Sequence, residues 1–413
     1  MHLLLKNIHQ IVTGATHGAP HKRGPEMRDV GLMERGFILV RDSSIIEVGT
    51  GSYTGTLDED ATVLDCEGLV AFPGFVDSHT HTLFGGSRAN EFAMRVAGKS
   101  YEEIASAGGG ILSTVNATRA ASKKELKKFA RHHLDGMMKQ GTTTCEIKSG
   151  YGLSEEAERR SLECINELAD EHLMEIVPTF LAAHAVPPEF AGNADGYVDL
   201  ICERMLPYIA QKKLAAFCDA FCETNYFSVA HVRKIFEKAA SLGLGLRLHA
   251  DQLTQIGASK LGAELGATSV DHLEKIDADG IRALQRSDSI ATLLPGVSFF
   301  LHYGYPPARE ILEAGIPVAI ASNFNPGSCM SYSMPMMMTI ACTQMGMSVE
   351  EAVSAATING AAALRRSATI GSLEPGKQAD IVLFNIPDYR HIAYHFGENH
   401  AVKIIKQGTI LEF

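Results

Sequence analysis

Between residues 71 and 360 an apolar run of strand length is followed, again and again, by a polar-faced helical stretch. That alternation constrains the fold more than any other feature of the chain. The apolar runs fall at 71–77, 142–148, 174–183, 214–221, 244–249, 268–272, 289–294 and 317–322. Helical segments such as Ser122 to Lys139 and Ser154 to His172 lie between them. A strand that returns through a helix runs parallel to its predecessor, and eight such units over about 250 residues close into a (β/α)8 barrel. A doubly wound open sheet needs a glycine-rich phosphate turn after its first strand, and Gly85-Gly86 lacks that spacing. The expected class is therefore α/β, with a TIM-like barrel over 71–360.

The flanks read differently. Gly36-Phe37-Ile38-Leu39-Val40 and Ser44-Ile45-Ile46-Glu47-Val48-Gly49 flank Arg41-Asp42-Ser43, a hairpin signal. Val63-Leu64-Asp65 leads toward the first barrel run. Past residue 361, Ala379-Asp380-Ile381-Val382-Leu383-Phe384 and Val402-Lys403-Ile404-Ile405-Lys406 return to β character after the turn-rich 371–377. The simplest arrangement pairs residues 1–70 with 361–413 in one small β-sandwich beside the barrel.

A net charge of −11 argues against nucleic-acid binding and against an anionic membrane surface. No apolar run approaches the ~20 residues of a membrane span, and Leu3-Leu4-Leu5, broken by Lys6, lacks the features of a signal peptide. The eight cysteines include no CxxC pair, which reads as reduced thiols in a cytoplasmic protein. The methionines of Met334-Pro335-Met336-Met337-Met338 read as fillers of core gaps. A homodimer is the commonest assembly for a soluble protein of this kind.

In a barrel of this kind the chemistry sits at the carboxyl ends of the strands. The first run continues as Asp77-Ser78-His79-Thr80-His81, and residues two apart on a strand face the same way. The third run leads to His184, the fifth to His249, the sixth to His272 and the eighth to Asn323. The second ends in Glu146-Ile147-Lys148, and the fourth brings Asp219 and Glu223. A lone histidine is more often a structural residue, but five at one rim argue for a site. His79, His81 and His249 make a three-nitrogen set suited to one zinc or iron ion, with positions left for water and substrate. A cation so held lowers the pKa of water toward neutrality.

The stretch from Pro73 to His81, with the distant histidines, resembles the amidohydrolase superfamily of metal-dependent hydrolases. Within it, the similarity is to the branch that opens 4-imidazolone-5-propanoate to N-formimidoyl-L-glutamate in histidine degradation. The segments that carry it are 82–88, 147–153, 181–187, 248–253, 269–273 and 325–328. The resemblance implies an elaborated barrel with a single-metal site at His79, His81 and His249. It implies substrate contacts from Arg88, Tyr151, His184, Gln252 and Ser328, contacts to the open-chain product from Asn325 and Gly327, and proton transfer at His272. Lys148, which bridges two metals in binuclear relatives when carboxylated, reads here as an ion-pairing residue.

The residue chemistry is consistent with those roles. Arg88 offers a planar fork suited to the substrate's propionate. Tyr151, between two glycines, can bring its hydroxyl to the ligand. The Gln252 amide can donate to and accept from a polar ring. His184 can donate to the ring carbonyl or the carboxylate. Asn325-Pro326-Gly327-Ser328 is a turn expected to expose backbone N–H groups.

One position departs from the pattern. Where the family has an aspartate that completes the metal site, this chain has Asn323. Asparagine keeps the shape and an oxygen ligand but loses the charge and the basicity. Natural tolerance, an engineered replacement and a lineage without the activity are three accounts of it. The expectation is a metal held by the three histidines with Asn323 Oδ1 as a weak fourth ligand, and proton handling shifted to His272. The alternative functions are another cyclic amidohydrolase, a ring deaminase or an impaired member of the family.

Overall fold

Parallel strands Phe75–Asp77, Thr142–Lys148, Glu175–Ala183, Phe217–Cys222, Gly245–Ala250, Ser269–His272, Ile290–Leu293 and Val318–Ile320 lie side by side in chain order. The computed structural model that contains them describes residues 2–99, 103–104 and 108–412. The first and eighth strands meet just beyond their ends. The Asn323 N–H donates to the His79 carbonyl at 3.0 Å, the His81 N–H donates to the Phe324 carbonyl at 2.9 Å, and the barrel closes there. The seam is made by the residues that the sequence nominates as functional.

The helices start where their sequences say they should. Ser122 and Ser154 accept hydrogen bonds from Glu125 N–H and Ala157 N–H and so cap the helices Lys123–Lys139 and Glu155–Glu171. Leu126, Ala130, Leu134, Met137 and Met138, spaced three and four apart, form the buried stripe of the first of these. Met334, Met337 and Met338 are buried in the main core, in keeping with gap filling. All eight cysteines are free thiols, and seven are buried. No helix among the described residues is long and apolar enough to cross a membrane.

Both termini build the second, mixed sheet. Thr409–Leu411, Ala401–Lys406, Ile381–Phe384, Val70–Pro73, His2–Val12, Leu32–Arg41 and Ser44–Thr50 follow one another across it, and Thr62–Asp65 pairs with His2–Val12. Alternate residues serve two cores, as the strand period requires. Ala71, Ile381 and Leu383 pack with Leu3, Leu5, Ile38 and Val40 in a core of their own. Val70, Phe72, Val382 and Phe384 face the other way, into the barrel's core.

The run 71–77, read as a single strand, is two. Val70–Pro73 belongs to the terminal sheet, antiparallel to Ile381–Phe384, and Phe75–Asp77 opens the barrel. Gly74 is the joint: a Cβ there would lie 2.1 Å from Thr143 Oγ1. Its N–H bonds the Asp380 carbonyl in the terminal sheet, while the Phe75 N–H bonds Gly141 at the foot of the barrel. Both halves are fully buried, so hydropathy runs unbroken across the bend.

Candidate active site

The closing seam delivers His79 and His81 to the same rim as His249, although the chain separates them widely. One ring nitrogen from each lies within 4.8 Å of the others, and all three rings are buried. Carboxylates behind the trio set the tautomers of two of its members. His79 Nδ1 donates to Asp271 Oδ2 at 2.6 Å, and His249 Nδ1 to Asp219 Oδ1 at 3.1 Å. Nε2 of each of these two rings then carries the lone pair: that of His249 lies 3.5 Å from His81 Nε2, and that of His79 is buried with no hydrogen-bond partner among the described residues. That pattern is what a metal-ligating imidazole requires. Burial, reinforced by neighbouring positive charge, holds His79 and His81 well below the usual histidine range. Burial also lowers His249, against the pull of Asp219. Neutral imidazole is the ligating form.

Beneath the trio lies a floor of buried charges. Lys148 Nζ is 2.7 Å from both Glu146 Oε2 and Asp219 Oδ2. Arg247 Nε is 3.0 Å from Glu146 Oε1, and its Nη2 is 3.0 Å from Asp271 Oδ2. Burial alone would raise Asp219, but the nearby His249 and Lys148 outweigh it and keep this carboxyl ionised. Lys148 is thus an ion-pairing residue, clamped between two carboxylates.

Above the trio is a cavity of about 340 Å³. Arg88, Tyr151, His184, Gln252, His272, Asn323, Asn325, Gly327 and Ser328 all line it, together with His81 and His249. His79 lies deeper, with no exposed surface. The His184 ring stacks on His81 with centroids 5.1 Å apart, and Tyr151 packs against both. His272 sits 5.3 Å from His249, centroid to centroid, with Nδ1 3.3 Å from Glu274. Backbone strain collects at these strand ends: His272, Leu273, Asp251 and Asn323 all have positive φ.

A model of the amidohydrolase family matches residues 70–411. The chain belongs to the amidohydrolase family. A protein of Alkaliphilus oremlandii named imidazolonepropionase is 45% identical over 410 residues, covering 98% of this chain and 97% of that one. One of Porphyromonas gingivalis with the same name is 43% identical, covering 100% and 97%. Among solved structures, an adenosine deaminase from Xanthomonas campestris with bound zinc has the same fold. It is 16% identical with a TM-score of 0.70, over 99% of this chain and 92% of that one. A zinc complex of atrazine chlorohydrolase from Arthrobacter aurescens is likewise 16% identical, with a TM-score of 0.69 over 99% and 95%.

Two details of this amidohydrolase differ from the sequence reading. The turn at 325–328 does not expose its N–H groups: Asn325 Oδ1 accepts those of Gly327 and Ser328, at 2.8 and 2.9 Å. An asparagine opening such a turn satisfies its own backbone, which the turn signal alone does not reveal. Asn325 Nδ2 and Asn323 Nδ2 both donate to Ser328 Oγ, so the Ser328 hydroxyl proton is what the turn has left to give. His184, expected as a donor, gives its Nδ1 proton to the Gly150 carbonyl at 3.0 Å. Although one edge of the ring opens on the cavity, burial and the neighbouring His249 push it down to about 3, so neutral His184 presents Nε2 as an acceptor.

The sequence reading gave no role to the residues that hold the loops, although it placed Glu223 at the end of the fourth run. Glu158 accepts the N–H groups of Gly150, Gly152 and Leu153 and so fixes the turn carrying Tyr151. Glu223 accepts those of Leu253 and Thr254 beside Gln252. Asp271 was in view as part of a motif, but strand alternation turns it away from His272, and nothing local signals its bond to His79. Glu91 and Arg95 line the cavity near Arg88 and belong to a helix that hydropathy alone leaves ordinary.

Proposed function

We propose that this chain hydrolyses 4-imidazolone-5-propanoate to N-formimidoyl-L-glutamate, adding water across the ring's amide C–N bond. The observation that carries the reading is one small cavity with a trio of neutral imidazoles at and beneath its floor and a guanidinium on its wall. Relatives named imidazolonepropionase, aligned over nearly the whole chain, support it.

The donor set fits a metal: three buried rings, two of them oriented by carboxylates, one with an Nε2 that has no other partner. Three imidazoles suit zinc and iron alike. When bound there, either ion supplies Lewis-acid activation of water and of the ring carbonyl. Asn323 Oδ1, buried and without a partner among the described residues, is a weak fourth donor.

The chain's own groups do the rest. Arg88 binds the propionate with parallel N–H donors. Neutral His184 accepts a ring N–H through Nε2, and Tyr151 donates its phenol, whose ionisation burial opposes. Together they hold the ring in place over the trio. His272, braced by Glu274, takes the proton of the attacking water and returns it to the leaving ring nitrogen. Gln252 and Ser328 hydrogen-bond the ring edges, and Asn325 and Gly327 shape the wall against the opened product. A cytoplasmic homodimer is the location and assembly to expect.

The test is to supply the purified protein with 4-imidazolone-5-propanoate and, separately, with aminated nucleobase-like rings. Formation of N-formimidoyl-L-glutamate, abolished by a chelator and restored by zinc or iron, is the expected result. Ammonia release from the second set, with no opening of the first, would overturn the proposal.

A further inference from the structure

We infer that Glu91 is a positioning residue that gives the pocket its preference for a carboxylate tail, by locking the Arg88 guanidinium so that one edge alone is offered. The inference rests on the substrate proposed above, and it adds a residue to which the site reading gave no role.

Arg88 occupies the N-cap of the helix Ala89–Val96, and Glu91 follows one turn later. Arg88 Nε donates to Glu91 Oε2 at 2.8 Å, and Arg88 Nη2 donates to Glu91 Oε1. The whole side edge of the guanidinium is taken. Among the described residues its outer edge remains, formed by Nη1 and the second proton of Nη2, and this is the other geometry in which a planar fork grips a carboxylate with two parallel bonds.

Two further restraints make the arrangement rigid. Glu91 Oε2 also accepts the Gly110 N–H at 2.8 Å, which ties the carboxylate to the N-cap of the helix Ile111–Ala120. On the opposite side Nη1 lies against Gly327, where a Cβ would come within 2.1 Å of it. Both charged side chains are mostly withdrawn from solvent, at 15% and 12% exposure. A free arginine has many rotamers to lose on binding, whereas this one has already lost them.

Glu91 also brings a negative charge to the wall, which by itself repels the tail. Arg95, one turn further along the helix and packed over the Phe300 ring at 5.0 Å, and Lys99 beyond it leave this wall, among the described residues, with three cations against one carboxylate. Orientation therefore improves binding without reversing the sign of the local field. The direction of the effect on affinity distinguishes orientation from repulsion.

The test is calorimetric binding to the metal-loaded protein, with two probes: 3-(imidazol-4-yl)propionate and 4-ethylimidazole. The rings are alike, so the ratio of their affinities isolates the tail. Glu91→Ala is expected to lower that ratio at least tenfold. Glu91→Gln, which keeps an acceptor for Arg88 Nε or the Gly110 N–H, should fall between it and wild type. Gly327→Ala, which displaces Nη1 without removing a charge, should lower the ratio in the same direction and covers the case in which Glu91→Ala fails to fold. An unchanged ratio, or tighter binding of the propionate by Glu91→Ala, overturns the inference. Wild-type preference for the tail without ring opening of 4-imidazolone-5-propanoate would overturn the proposed substrate while leaving the role of Glu91 intact.

Discussion

His79 Nδ1 and Asp271 Oδ2 lie 2.6 Å apart across 192 residues of chain, with neither side chain exposed. Asp271 is itself anchored by Arg247 at 3.0 Å, so the histidine is oriented by a carboxylate that cannot swing away. This contact decides which nitrogen of His79 faces the other two rings. It also couples the first barrel strand to the fifth and sixth through the charged floor.

Removing that support should weaken the metal site without removing a ligand. Asp271→Asn leaves an amide of the same shape that no longer favours the Nδ1–H tautomer, and second-layer partners of this type are worth about 10–100-fold in metal affinity. Competition against a chromophoric chelator measures the change. Wild-type affinity in the variant would show that the tautomer is set by other means.

The buried floor predicts a large loss of stability from a single truncation. Lys148→Ala takes the ammonium from Asp219 and leaves Glu146 to Arg247, and breaking a buried pair in this way costs about 3–5 kcal/mol. Urea unfolding of metal-free protein reads it directly. A loss under about 1 kcal/mol would mean that water enters and replaces the ammonium.

At position 323 the prediction runs toward gain. Asn323→Asp restores a negative oxygen and a base beside the trio, and a positioned base contributes about 10²–10⁴-fold. Steady-state turnover of 4-imidazolone-5-propanoate should rise by about 10²-fold. No increase would show that His272 alone carries the proton and that position 323 does not limit the rate.

Asp77 gives a pH dependence of defined sign. Burial raises its carboxyl to about 7, against the hydrogen bonds it accepts from Ser322 N–H at 3.0 Å and from the Ser322 hydroxyl at 2.5 Å. Between its unfolded value near 4 and about 7 the folded state binds more protons than the unfolded state. This group's contribution to stability is therefore greatest below pH 4, falls as pH rises to 7, and is level above. Asp77→Asn removes the slope, so the wild-type minus variant difference in unfolding free energy should decline between pH 4.5 and 7.5. Urea titrations at three pH values test it, and a flat difference contradicts the assignment.

Much of the barrel was legible because its strands are buried on both faces and its helices on one. Seven of the eight apolar runs coincide with barrel strands to within about three residues. Ser122 and Ser154 marked helix starts through their own cap chemistry. The run 71–77 misled because burial continues across Gly74, and hydropathy does not register a change of sheet. His184 and the 325–328 turn read as ligand contacts, but their hydrogen-bonding sense depends on Gly150 O and Asn325 Oδ1, acceptors that the motifs do not single out.

By itself the sequence determined the strand-helix period, the histidines at the strand ends and the asparagine at 323, because each is a property of neighbouring residues. The tertiary structure decided which nitrogens face one another, that Asp271 and Asp219 orient them, and that Glu91 takes one edge of Arg88. Those relations join residues on different strands and loops, and hydrogen bonds and charge pairs act over a few ångströms of space irrespective of separation along the chain.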